Sequence, residues 1–515
     1  MTNKNLGQFF TPKNVVNLMV DLISPNSTEI LEPASGTGNF VNKLLENKSY
    51  NLMAIEYDKA IYNKLSNPIK KITQNISFLE MDASKMFDCI IGNPPYIRWK
   101  NLPQNLKEEV LNSKYIKSNF YDTLNDYSSL FIIKSIEHLK EGGELIFITP
   151  EYWLSNTQSE KVRKYCLENG FFKTIIKFNE TPLFPNVFSS FIIFKFVKSK
   201  NKTNDLIEIS ICNKKTSMTS NDFNSIKKRI NTNEIQNYKI KQFTNESPWL
   251  LINENYKSKL EGIFKKHSFY QLGDIATISN GMVTGRDKHF CLDNELLDKL
   301  NKNEKEALVK VIKAKNINAF VKDDYLQYIF LNNKNITEND LKRDFPNYYN
   351  ILNQNKTDLL SRYSYGKDIN YWDWVFMRSE KIFFNKKPKI FVPGKLRVAT
   401  NNRLKFCYAD SNYVALQDVT SIFIENVDLL YLVLGILNSQ IAFEWFYNFG
   451  IKKGDIVEFS EKPLSSFPIP NKFYSDKKSD IELIQSIVKF IKDILYNDKK
   501  ENLNILDTKV TKLYS

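Results

Sequence analysis

Four residues, Asn93-Pro94-Pro95-Tyr96, follow an apolar run from Phe87 to Ile91 that predicts a buried strand ending in a tight turn. The two prolines fix φ and remove two backbone donors. The Asn93 side chain and the nearby carbonyls therefore form a stiff row of hydrogen-bond acceptors beside an aromatic ring. Such a row suits a flat ring that carries an amino group. The alternative is a rigid strand-exit turn with Tyr96 packed in the core.

Three further groups at predicted strand ends point to a nucleotide. Glu29 to Leu31 predicts a short strand, and the turn Gly36-Thr37-Gly38 that follows lets backbone approach a ligand closely. Leu52 to Ile55 predicts the second strand and ends in Glu56, 20 residues after Gly36. At about this separation an acid meets a nucleotide ribose. Phe78 to Met81 predicts the third strand, which ends in Asp82.

The elements that must position these groups alternate between strand and helix. Two later strands, Lys173 to Phe178 and Ser190 to Val197, are joined by a connection too short for a crossover helix, so we expect that pair to be antiparallel. Residues 98–126 predict a mobile flap that contains a surface helix over Leu106 to Leu111. Further predicted elements are the helices Val41–Leu45, Tyr127–Leu139 (amphipathic) and Ser159–Asn169, and a fifth strand at Leu145–Ile148.

Two short segments flank this core. Thr11 is the predicted N-cap, and Pro12 the first residue, of a helix that includes Val15. A helix N-terminus offers N–H groups to an anionic ligand. Residues 182–186 predict a stiff loop that presents Phe184.

Composition limits the classes of protein that fit. The chain has 515 residues, so we expect two or three domains. Its net charge of +14 favours a polyanionic partner, although a composition rich in Lys, Asn and Ile also yields lysines that are only solvated surface. The cysteines form no CxxC pair and the histidines have no metal-ligand spacing, which indicates a reducing cytoplasm and no metal. With no signal segment and no apolar run of about 18 residues, we expect a soluble protein without a membrane partner.

The glycine turn, Glu56, Asp82 and the tetrapeptide, in that order, resemble the S-adenosylmethionine-dependent amino-methyltransferases of DNA. Gly7-Gln8-Phe9-Phe10-Thr11-Pro12 is similar to their γ arrangement, and Asn rather than Ser at the head of the tetrapeptide is the form associated with adenine N6. The resemblance covers about residues 7–200 and implies an α/β fold, a seven-stranded class I methyltransferase (Rossmann-like) sheet. It implies S-adenosyl-L-methionine as cofactor, S-adenosyl-L-homocysteine as product, and a cofactor site made of Phe10, Thr11, Glu32, Pro33, Ala34, Ser35, Gly36, Glu56, Tyr57, Asp82, Ala83, Asn93 and Pro95.

The resemblance also implies roles. Thr11 and its neighbours hold the methionine end, Glu56 takes the ribose hydroxyls, and Asp82 accepts from the cofactor's adenine amine. The implied catalytic residues are Asn93, Pro94, Pro95 and Tyr96.

The chemistry implied for the tetrapeptide concerns a flipped adenine. The Asn93 side-chain oxygen and the Pro94 backbone oxygen each accept one N6–H, so that the lone pair localises for in-line transfer. The base leaves the duplex to reach the site. Tyr96 and Phe184 then hold it by stacking, at about 1–3 kcal/mol per aromatic contact. Phe184-Pro185 is similar to the target-base motif of these enzymes.

The second half of the chain carries a different pattern. Leu272 to Lys288 and Leu434 to Ser439 resemble the Taq-type target-recognition domain, which also occurs in specificity subunits of restriction systems. Between Arg378 and Lys405 the chain is strongly basic, with Glu380 as its single acid, and this predicts a basic β surface over a hydrophobic face. Candidate DNA-binding residues are Arg286, Lys288, Lys386, Lys387, Lys389, Lys395, Arg397 and Arg403. Upstream lies an aromatic cluster, most of which core packing explains: Tyr363, Tyr365, Tyr371, Trp372 and Trp374.

We therefore predict a cofactor-binding catalytic domain over residues 1–235, a linker over 236–268, and a separate mixed α+β target-recognition domain with a C-terminal helix over 269–515. The predicted function is site-specific methyl transfer to N6 of adenine in double-stranded DNA, by a monomer. A separately encoded restriction endonuclease is left open as a partner. The alternatives are an N-methyltransferase of protein glutamine or of an RNA base, and an inactive DNA-binding specificity protein.

Overall fold

The computed structural model describes residues 10–184, 189–201, 203–254, 257–258, 262, 269–332, 334–385, 387–398, 403–453, 455–497 and 502–515. The chain divides into two compact units, Met1–Ser258 and Lys259–Ser515, called the N-terminal and C-terminal units below. Several residues of the predicted motifs lie outside the described residues, namely Gly7, Gln8, Phe9, Pro185, Asn186 and Lys386.

The N-terminal unit is built on one sheet. Its strands are β1 Glu29–Glu32, β2 Asn51–Ile55, β3 Thr73–Gln74, β4 Phe87–Gly92, β5 Leu139–Pro150, β6 Gly170–Phe178, β7 Phe191–Lys198, β8 Ile207–Cys212 and β9 Ile235–Ile240. They lie in the order β3-β2-β1-β4-β5-β7-β6-β8-β9. The strands β1 to β5 are parallel, whereas β7 is antiparallel to β5 and β6, which confirms the expected antiparallel pair. Apart from β3, the first seven strands are those of the predicted sheet, and β8 and β9 extend it.

Helices cover both faces of this sheet, because its parallel strands are apolar on both sides. Ile30 and Leu31 show this directly, since the two neighbours belong to separate apolar clusters and both are fully buried. The helices are α1 Lys13–Val20, α2 Asn39–Leu44, α3 Lys59–Lys64, α4 Asn67–Ile72, α5 Gln104–Asn112, α6 Lys114–Lys117, α7 Tyr127–Glu137, α8 Glu160–Asn169 and α9 Ser220–Lys227.

The predicted amphipathic character of α7 is wrong, since its residues from Tyr127 to Ile136 are all buried. Even Lys134 is enclosed, and its Nζ donates to the backbone oxygen of Leu79 at 3.1 Å. A helix that is buried all round carries no polar stripe for a periodic pattern to reveal.

The predicted third strand is also wrong, because residues 78–80 form a 3-10 turn. Ser77 Oγ accepts from Leu79 N at 3.2 Å, and Glu80 Oε2 accepts from Ser77 N at 3.3 Å. This capping box satisfies the free donors of a helical turn, which favours it over an extended segment. The third strand is instead the two-residue β3, directly after α4.

The predicted flap over residues 98–126 is in large part helical and packed. It contains α5 and α6, and Leu106, Val110 and Tyr115 are buried against the sheet's apolar cluster. The expected surface helix is present as α5, but the segment as a whole is a covering layer of the N-terminal unit and not a loose loop.

The expected linker over residues 236–268 starts too early. β9 pairs antiparallel with β8, and Trp249 is 4% exposed among the rings of Phe172, Trp153 and Phe243. Residues up to at least Trp249 therefore belong to the N-terminal unit, in which an aromatic cluster stabilises them.

The C-terminal unit is a mixed α+β fold of small sheets. Its strands are β10 Phe269–Gln271, β11 Thr277–Asn280, β12 Cys291–Leu292, β13 Leu308–Ile312, β14 Leu326–Ile329, β15 Lys389–Pro393, β16 Lys395–Arg397, β17 Cys407–Ala409, β18 Tyr413–Ala415, β19 Val419–Phe423, β20 Ile451–Lys453, β21 Ile456–Glu458 and β22 Pro468–Pro470. Over the described residues they form sheets in the orders β10-β22, β11-β19-β15-β17, β12-β14-β13-β18 and β16-β21-β20.

Helices complete the C-terminal unit. They are Leu272–Ile275, Asp287–Phe290, Asn294–Leu297, Lys302–Glu306, Glu338–Asp344, Pro346–Gln354, Lys356–Leu360, Glu380–Phe383, Val427–Leu437, Gln440–Phe449, Glu461–Ser465, Lys478–Tyr496 and Leu503–Tyr514. The expected single C-terminal helix is thus two helices. None of the described helices could cross a membrane alone by length and apolarity, and the one pair that passes together, Val427–Leu437 and Gln440–Phe449, is bent by 67°.

The placement of Trp249 can be tested through stability. We expect Trp249→Ala to lower the free energy of unfolding by about 3–5 kcal/mol, because it removes a buried aromatic side chain. Urea denaturation measures this, with Ser247→Ala, an exposed position in the same segment, as the matched control. An effect of Trp249→Ala within about 0.5 kcal/mol of the control would restore the linker interpretation.

Candidate active site

The tetrapeptide leaves the sheet at the carboxyl end of β4. This strand lies between β1 and β5, and Cys89, Ile90 and Ile91 are fully buried. Since parallel strands end at the same edge of a sheet, Glu32 at the end of β1 and Glu56 after β2 reach the same edge. The sequence-predicted groups are therefore gathered by the topology.

The side-chain amide of Asn93 is held by two neighbours. Its Nδ2 donates to Thr11 Oγ1 at 3.0 Å, and its Oδ1 contacts the Tyr96 hydroxyl. The same hydroxyl donates to the backbone oxygen of Ile148 at 2.7 Å. Burial raises the pKa of Tyr96 well above its usual value, so the phenol stays a donor. Together these contacts orient the amide, with its nitrogen towards Thr11.

Thr11 is itself fixed. It is 4% exposed, and its backbone oxygen accepts from Asn39 Nδ2 at 3.0 Å. The expected helix start is wrong by one residue, because Pro12 is the N-cap and α1 begins at Lys13. The Thr11 hydroxyl serves Asn93 and makes no capping bond.

The glycine turn requires both of its glycines. Gly36 has φ 53° and Gly38 has φ 83°, in the left-handed region that favours glycine. A Cβ on Gly38 would also lie 2.6 Å from Ile69 Cδ1. The turn is bound to the next strand end, because Gly36 N donates to Glu56 Oε2 at 2.7 Å.

Glu56 is a buried carboxyl with a shifted titration. Its second oxygen, Oε1, accepts from Asp58 N at 2.7 Å. Burial is the largest influence and outweighs these two backbone donors, and it raises the pKa of Glu56 to about 7. The side chain is 6% exposed and lies at the wall of a pocket, where it can meet hydroxyl donors.

A pocket opens at this edge of the sheet. The lining residues are Phe10, Pro33, Ala34, Gly36, Ile55, Glu56, Tyr57, Asp58, Ser77, Phe78, Asn93, Pro95, Ile97, Leu106, Tyr127 and Phe131. The Tyr57 hydroxyl also accepts from Asn105 Nδ2, which joins the strand edge to α5 across the pocket. Aromatic and aliphatic walls with a carboxyl at one side and an amide at the other suit a nucleoside.

Two polar oxygens beside this pocket are buried without a described hydrogen-bond partner. They are Glu32 Oε2 and Ser35 Oγ, on residues that are 2% and 4% exposed. Burial, with Glu56 nearby, raises the pKa of Glu32 well above its usual value. Unpaired buried polar atoms are costly, so this turn is suited to a polar ligand group that would pair with them.

Comparison with known proteins identifies both halves of the chain. Residues 18–184 match the family described as Eco57I restriction-modification methylase, and residues 309–469 match the TaqI-like C-terminal specificity domain. The type II methyltransferase M.HindII of Haemophilus influenzae is 36% identical over 99% of this chain and 98% of its own length. The chain belongs to the type II methyltransferases. M.HincII, also of Haemophilus influenzae, is 35% identical over 99% of this chain and 97% of its own length.

Solved structures support the fold of this methyltransferase. The type IIL restriction-modification enzyme MmeI, solved in complex with DNA, matches with a TM-score of 0.65 and 12% identity over 98% of this chain and 72% of that one. The type ISP enzyme LlaBIII, solved bound to DNA, matches with a TM-score of 0.53 and 14% identity over 95% of this chain and 39% of that one. The class I methyltransferase sheet and a separate C-terminal domain are thus both confirmed.

The structure brings most of the predicted cofactor residues of the methyltransferase together. Eight of them line the pocket, namely Phe10, Pro33, Ala34, Gly36, Glu56, Tyr57, Asn93 and Pro95. Thr11 contacts Asn93, and Glu32 and Ser35 lie at the glycine turn. Asp82 and Ala83 are exposed, and neither is among the pocket's lining residues. The Asp82 carboxylate accepts from Ser84 N at 2.9 Å. Its expected contact with the cofactor's adenine stays a prediction.

The structure does not present Phe184 to solvent, so that expectation is wrong. The ring is 3% exposed and lies 4.8 Å from the ring of Phe191. Phe191 in turn lies 5.9 Å from the ring of Tyr96. The two predicted stacking rings, Tyr96 and Phe184, therefore both pack on Phe191, and their contact with a target base stays a prediction.

Among the predicted DNA-binding residues, two have structural roles that the charge pattern concealed. Lys389 in β15 is fully buried, donates to the Lys387 backbone oxygen at 2.8 Å, and burial lowers its pKa to about 8. Arg403 forms an ion pair with Asp507 in the last helix. The predicted basic β surface is wrong for β15, which is buried at every position.

The other predicted DNA-binding side chains, apart from Lys386 outside the described residues, are at least partly exposed. Lys288 and Lys395 are exposed, Lys387 pairs with Glu425, and Arg397 lies 3.8 Å from Asp455. Arg286 is 39% exposed and donates to Asp358 at 2.9 Å.

Sequence patterns missed part of the pocket wall. Asp58, Ser77 and Phe78 line it, and so do Leu106 and Tyr127 from the predicted flap and α7. The spacing of Ser77 and Glu80 is the signature of a capping box and was a visible signal for a turn there. No comparable local signal marks Leu106 or Tyr127, since their place at the pocket depends on how helices fold over the sheet.

The glycine turn allows a test that separates steric clash from backbone strain. Gly142 has φ 78° and open space around its added Cβ, whereas Gly38 has φ 83° and the Ile69 contact. We expect Gly142→Ala to cost about 1–2 kcal/mol of unfolding free energy from strain alone. Gly38→Ala should cost clearly more by urea denaturation.

The added Ile69→Ala change tests the cause of that difference. It should recover part of the Gly38→Ala loss in a double-mutant cycle, because it removes the atom that the new Cβ meets. Equal losses for the two glycine variants would show that the Ile69 contact does not constrain the turn.

Proposed function

We propose that this methyltransferase transfers a methyl group from S-adenosylmethionine to N6 of an adenine flipped out of double-stranded DNA. One observation carries the proposal: Asn93, with its amide held by Thr11, lines the same pocket as Phe10 and Glu56. An acceptor for an amine thus borders a site suited to a nucleoside.

The described residues fit the proposed cofactor. Glu56 would accept the ribose hydroxyls, Phe10 and the other apolar residues would enclose the rings, and the unpaired oxygens of Glu32 and Ser35 would meet the charged methionine end. When bound, S-adenosylmethionine supplies an electrophilic methyl group. For metals, the structure contains no group of three or more His, Cys, Asp or Glu able to hold an ion over its described residues.

In the proposed mechanism, Asn93 Oδ1 and the Pro94 backbone oxygen each accept one N6–H of the adenine. An exocyclic amine is a weak nucleophile because its lone pair is delocalised into the ring, and two acceptors in fixed positions favour the form in which that lone pair points into the pocket. Oδ1 contacts the Tyr96 hydroxyl in the structure, yet this hydroxyl keeps Ile148 as an acceptor at 2.7 Å. Oδ1 can therefore accept the amine without leaving the phenol unpaired.

The amide of Asn93 has to keep one orientation for this to work. A rotated amide would offer its NH₂ group to the substrate and repel an N6–H donor. The hydrogen bond to Thr11 favours the productive orientation, which makes Thr11 a positioning residue. Tyr96 would support the base by stacking, and Phe184 would support Tyr96 through Phe191.

Four other expectations remain proposals. Duplex DNA as the substrate rests on the family of the relatives and on the specificity-domain match over residues 309–469. A monomeric state and a cytoplasmic location rest on sequence alone. A separately encoded endonuclease partner is suggested by the restriction-modification family.

The amine acceptor can be tested in cells and in solution. We expect Asn93→Ala to lower kcat for methyl transfer to DNA by about 100-fold or more, since it removes a preorganised contact at the reacting nitrogen. Mapping methylated adenines in DNA from expressing cells, with and without the change, gives the product and the site together. Modified cytosines, or none, in the wild-type sample would contradict adenine N6.

Thr11 provides a graded version of the same test. Thr11→Val should lower kcat by about tenfold to 100-fold through loss of the amide's orientation, while Thr11→Ser keeps the hydroxyl and should stay near wild type.

A binding measurement on Asn93→Ala separates an effect on the substrate from one on the cofactor. Affinity for S-adenosylhomocysteine, measured by calorimetry, should change far less than kcat in this variant. If kcat and the affinity for S-adenosylhomocysteine fell together in Asn93→Ala, Asn93 would act chiefly on the cofactor.

Glu56 predicts a pH dependence of cofactor binding. The ribose hydroxyls need an ionised acceptor, and the raised pKa of about 7 means that Glu56 is increasingly protonated below that pH. We expect affinity for S-adenosylhomocysteine to be constant above pH 7 and to fall by up to about tenfold per unit below it. Glu56→Gln should bind more weakly and lose this slope. A slope that survives in Glu56→Gln would assign the titration to another group.

A further inference from the structure

The C-terminal unit exposes aromatic rings that the sequence pattern grouped with core residues. Tyr371, Trp372 and Trp374 are at most 5% exposed, but Tyr363 is 76% and Tyr365 is 42% exposed. The rings of Tyr363 and Tyr365 lie 4.8 Å apart, and Tyr365 stacks on Phe376 at 5.1 Å with a 27° angle. Solvent-facing rings in a row are unusual on a protein surface and mark a binding region.

Two cations flank the same row of rings. Lys367 Nζ lies 5.2 Å, and Arg378 Cζ 5.3 Å, from the centre of the Phe376 ring. Neither has an acidic partner within ion-pair distance among the described residues. These two cations and the rings of Tyr363, Tyr365 and Phe376 are called the aromatic-basic platform below.

A buried arginine, Arg362, holds the loop that carries the platform. Arg362 is 6% exposed, and its guanidinium donates to the backbone oxygens of Thr284 at 2.7 Å and Tyr371 at 3.1 Å, among others. Burial lowers the pKa of this arginine to about 10, far above neutral pH, so it stays charged and bound to those carbonyls. The loop between Arg362 and Tyr371 is therefore closed at its ends.

The tip of that loop also has a defined backbone conformation. Tyr365 has φ 56° and Gly366 has φ 73°, and Lys367 N donates to Ser364 O at 3.1 Å. A tyrosine in the left-handed region is strained, and such strain concentrates at binding sites. Here it places the Tyr365 ring on Phe376 and leaves Tyr363 outermost.

The platform adjoins a segment already predicted to contact DNA. Val283 and Phe376 exchange backbone hydrogen bonds at 3.0 and 3.1 Å, which brings the turn that carries Arg286 beside it. Arg286 and His289 both bind Asp358, in the helix Lys356–Leu360 that precedes the loop. The platform and the turn therefore form one surface.

We propose that the aromatic-basic platform is a contact surface of the C-terminal unit for duplex DNA, in which the outer ring of Tyr363 packs on the sugars while Lys367 and Arg378 bind flanking phosphates. The inference rests on DNA being the substrate, as proposed above. On a duplex, cations bind phosphate oxygens and neighbouring side chains contact the sugars, and the chain's net charge of +14 favours a polyanion over an apolar peptide. Such contacts are sequence-tolerant, so the platform adds affinity and does not select the site.

The test uses the full-length protein and a labelled duplex that contains the methylated site found by mapping. Tyr363→Ala should weaken binding by about tenfold in fluorescence anisotropy, and Tyr363→Phe should keep it, because the ring makes the contact. Lys367→Ala and Arg378→Ala should each reduce the slope of log affinity against log salt by about one. The matched controls, Tyr474→Ala and Lys478→Ala, change exposed residues elsewhere in the C-terminal unit and should leave both quantities unchanged.

The outcomes separate this inference from the function on which it rests. Platform variants that bind the duplex like wild type, while wild type binds and methylates DNA, would overturn the platform and leave the function intact; the surface would then belong to another partner, such as a protein. Wild type that neither binds nor methylates DNA would reject the function itself. Weakened binding of site-containing and site-free duplexes by the same factor supports a sequence-tolerant contact, whereas loss for the site-containing duplex alone would contradict it.

Discussion

The hydrogen bond from Asn93 to Thr11 is the contact on which the candidate site depends, because it decides which end of an amide faces the pocket. Thr11 is held by Asn39, which opens α2 directly after the glycine turn. That turn is bound through Gly36 to Glu56 at the end of β2. One series of short contacts thus connects the ends of β1, β2 and β4 with the start of α1. A change at any of these positions reaches the Asn93 amide through atoms that have little room to relax.

Burial raises the pKa values of the two acids of this site, Glu56 and Glu32. Glu56 lies in the pocket wall and Glu32 is buried beside it, and desolvation by burial is the largest influence on the pKa of each. Such groups are costly until a ligand supplies hydroxyls or a positive charge. A ligand that pairs with these carboxyls removes that cost, which adds to the free energy of binding. Carboxyls with shifted pKa values are common in ligand pockets. The apolar residues of α5 and α7 matter here because they enclose the same pocket.

In the C-terminal unit, lysines and arginines carry the same charge but have different structural roles. Lys389 and Arg362 are buried and bind backbone oxygens, and Arg403 pairs with Asp507, so these cations hold the fold together. Lys367 and Arg378 instead lie beside exposed rings. A basic composition favours a polyanionic partner, but it cannot tell a structural cation from a binding one. That distinction depends on which backbone oxygens and carboxylates the fold brings within reach, and it reverses the interpretation of Lys389 and Arg403.

The sequence by itself determined what depends on local order: the strand-turn-helix of the glycine motif, Glu56 at a strand end, the strand-exit turn of Asn93 to Tyr96, and the antiparallel pair of β6 and β7. These follow from residue type and short spacing, so a pattern can reveal them. Only the tertiary structure decided the contact of Thr11 with Asn93, 82 residues apart, the burial of Phe184, and the exposure of Tyr363 next to buried Trp372 and Trp374. The residue type of a tyrosine, phenylalanine or threonine is the same in the core and at the surface. Whether its side chain is buried depends on contacts with residues far away in the sequence.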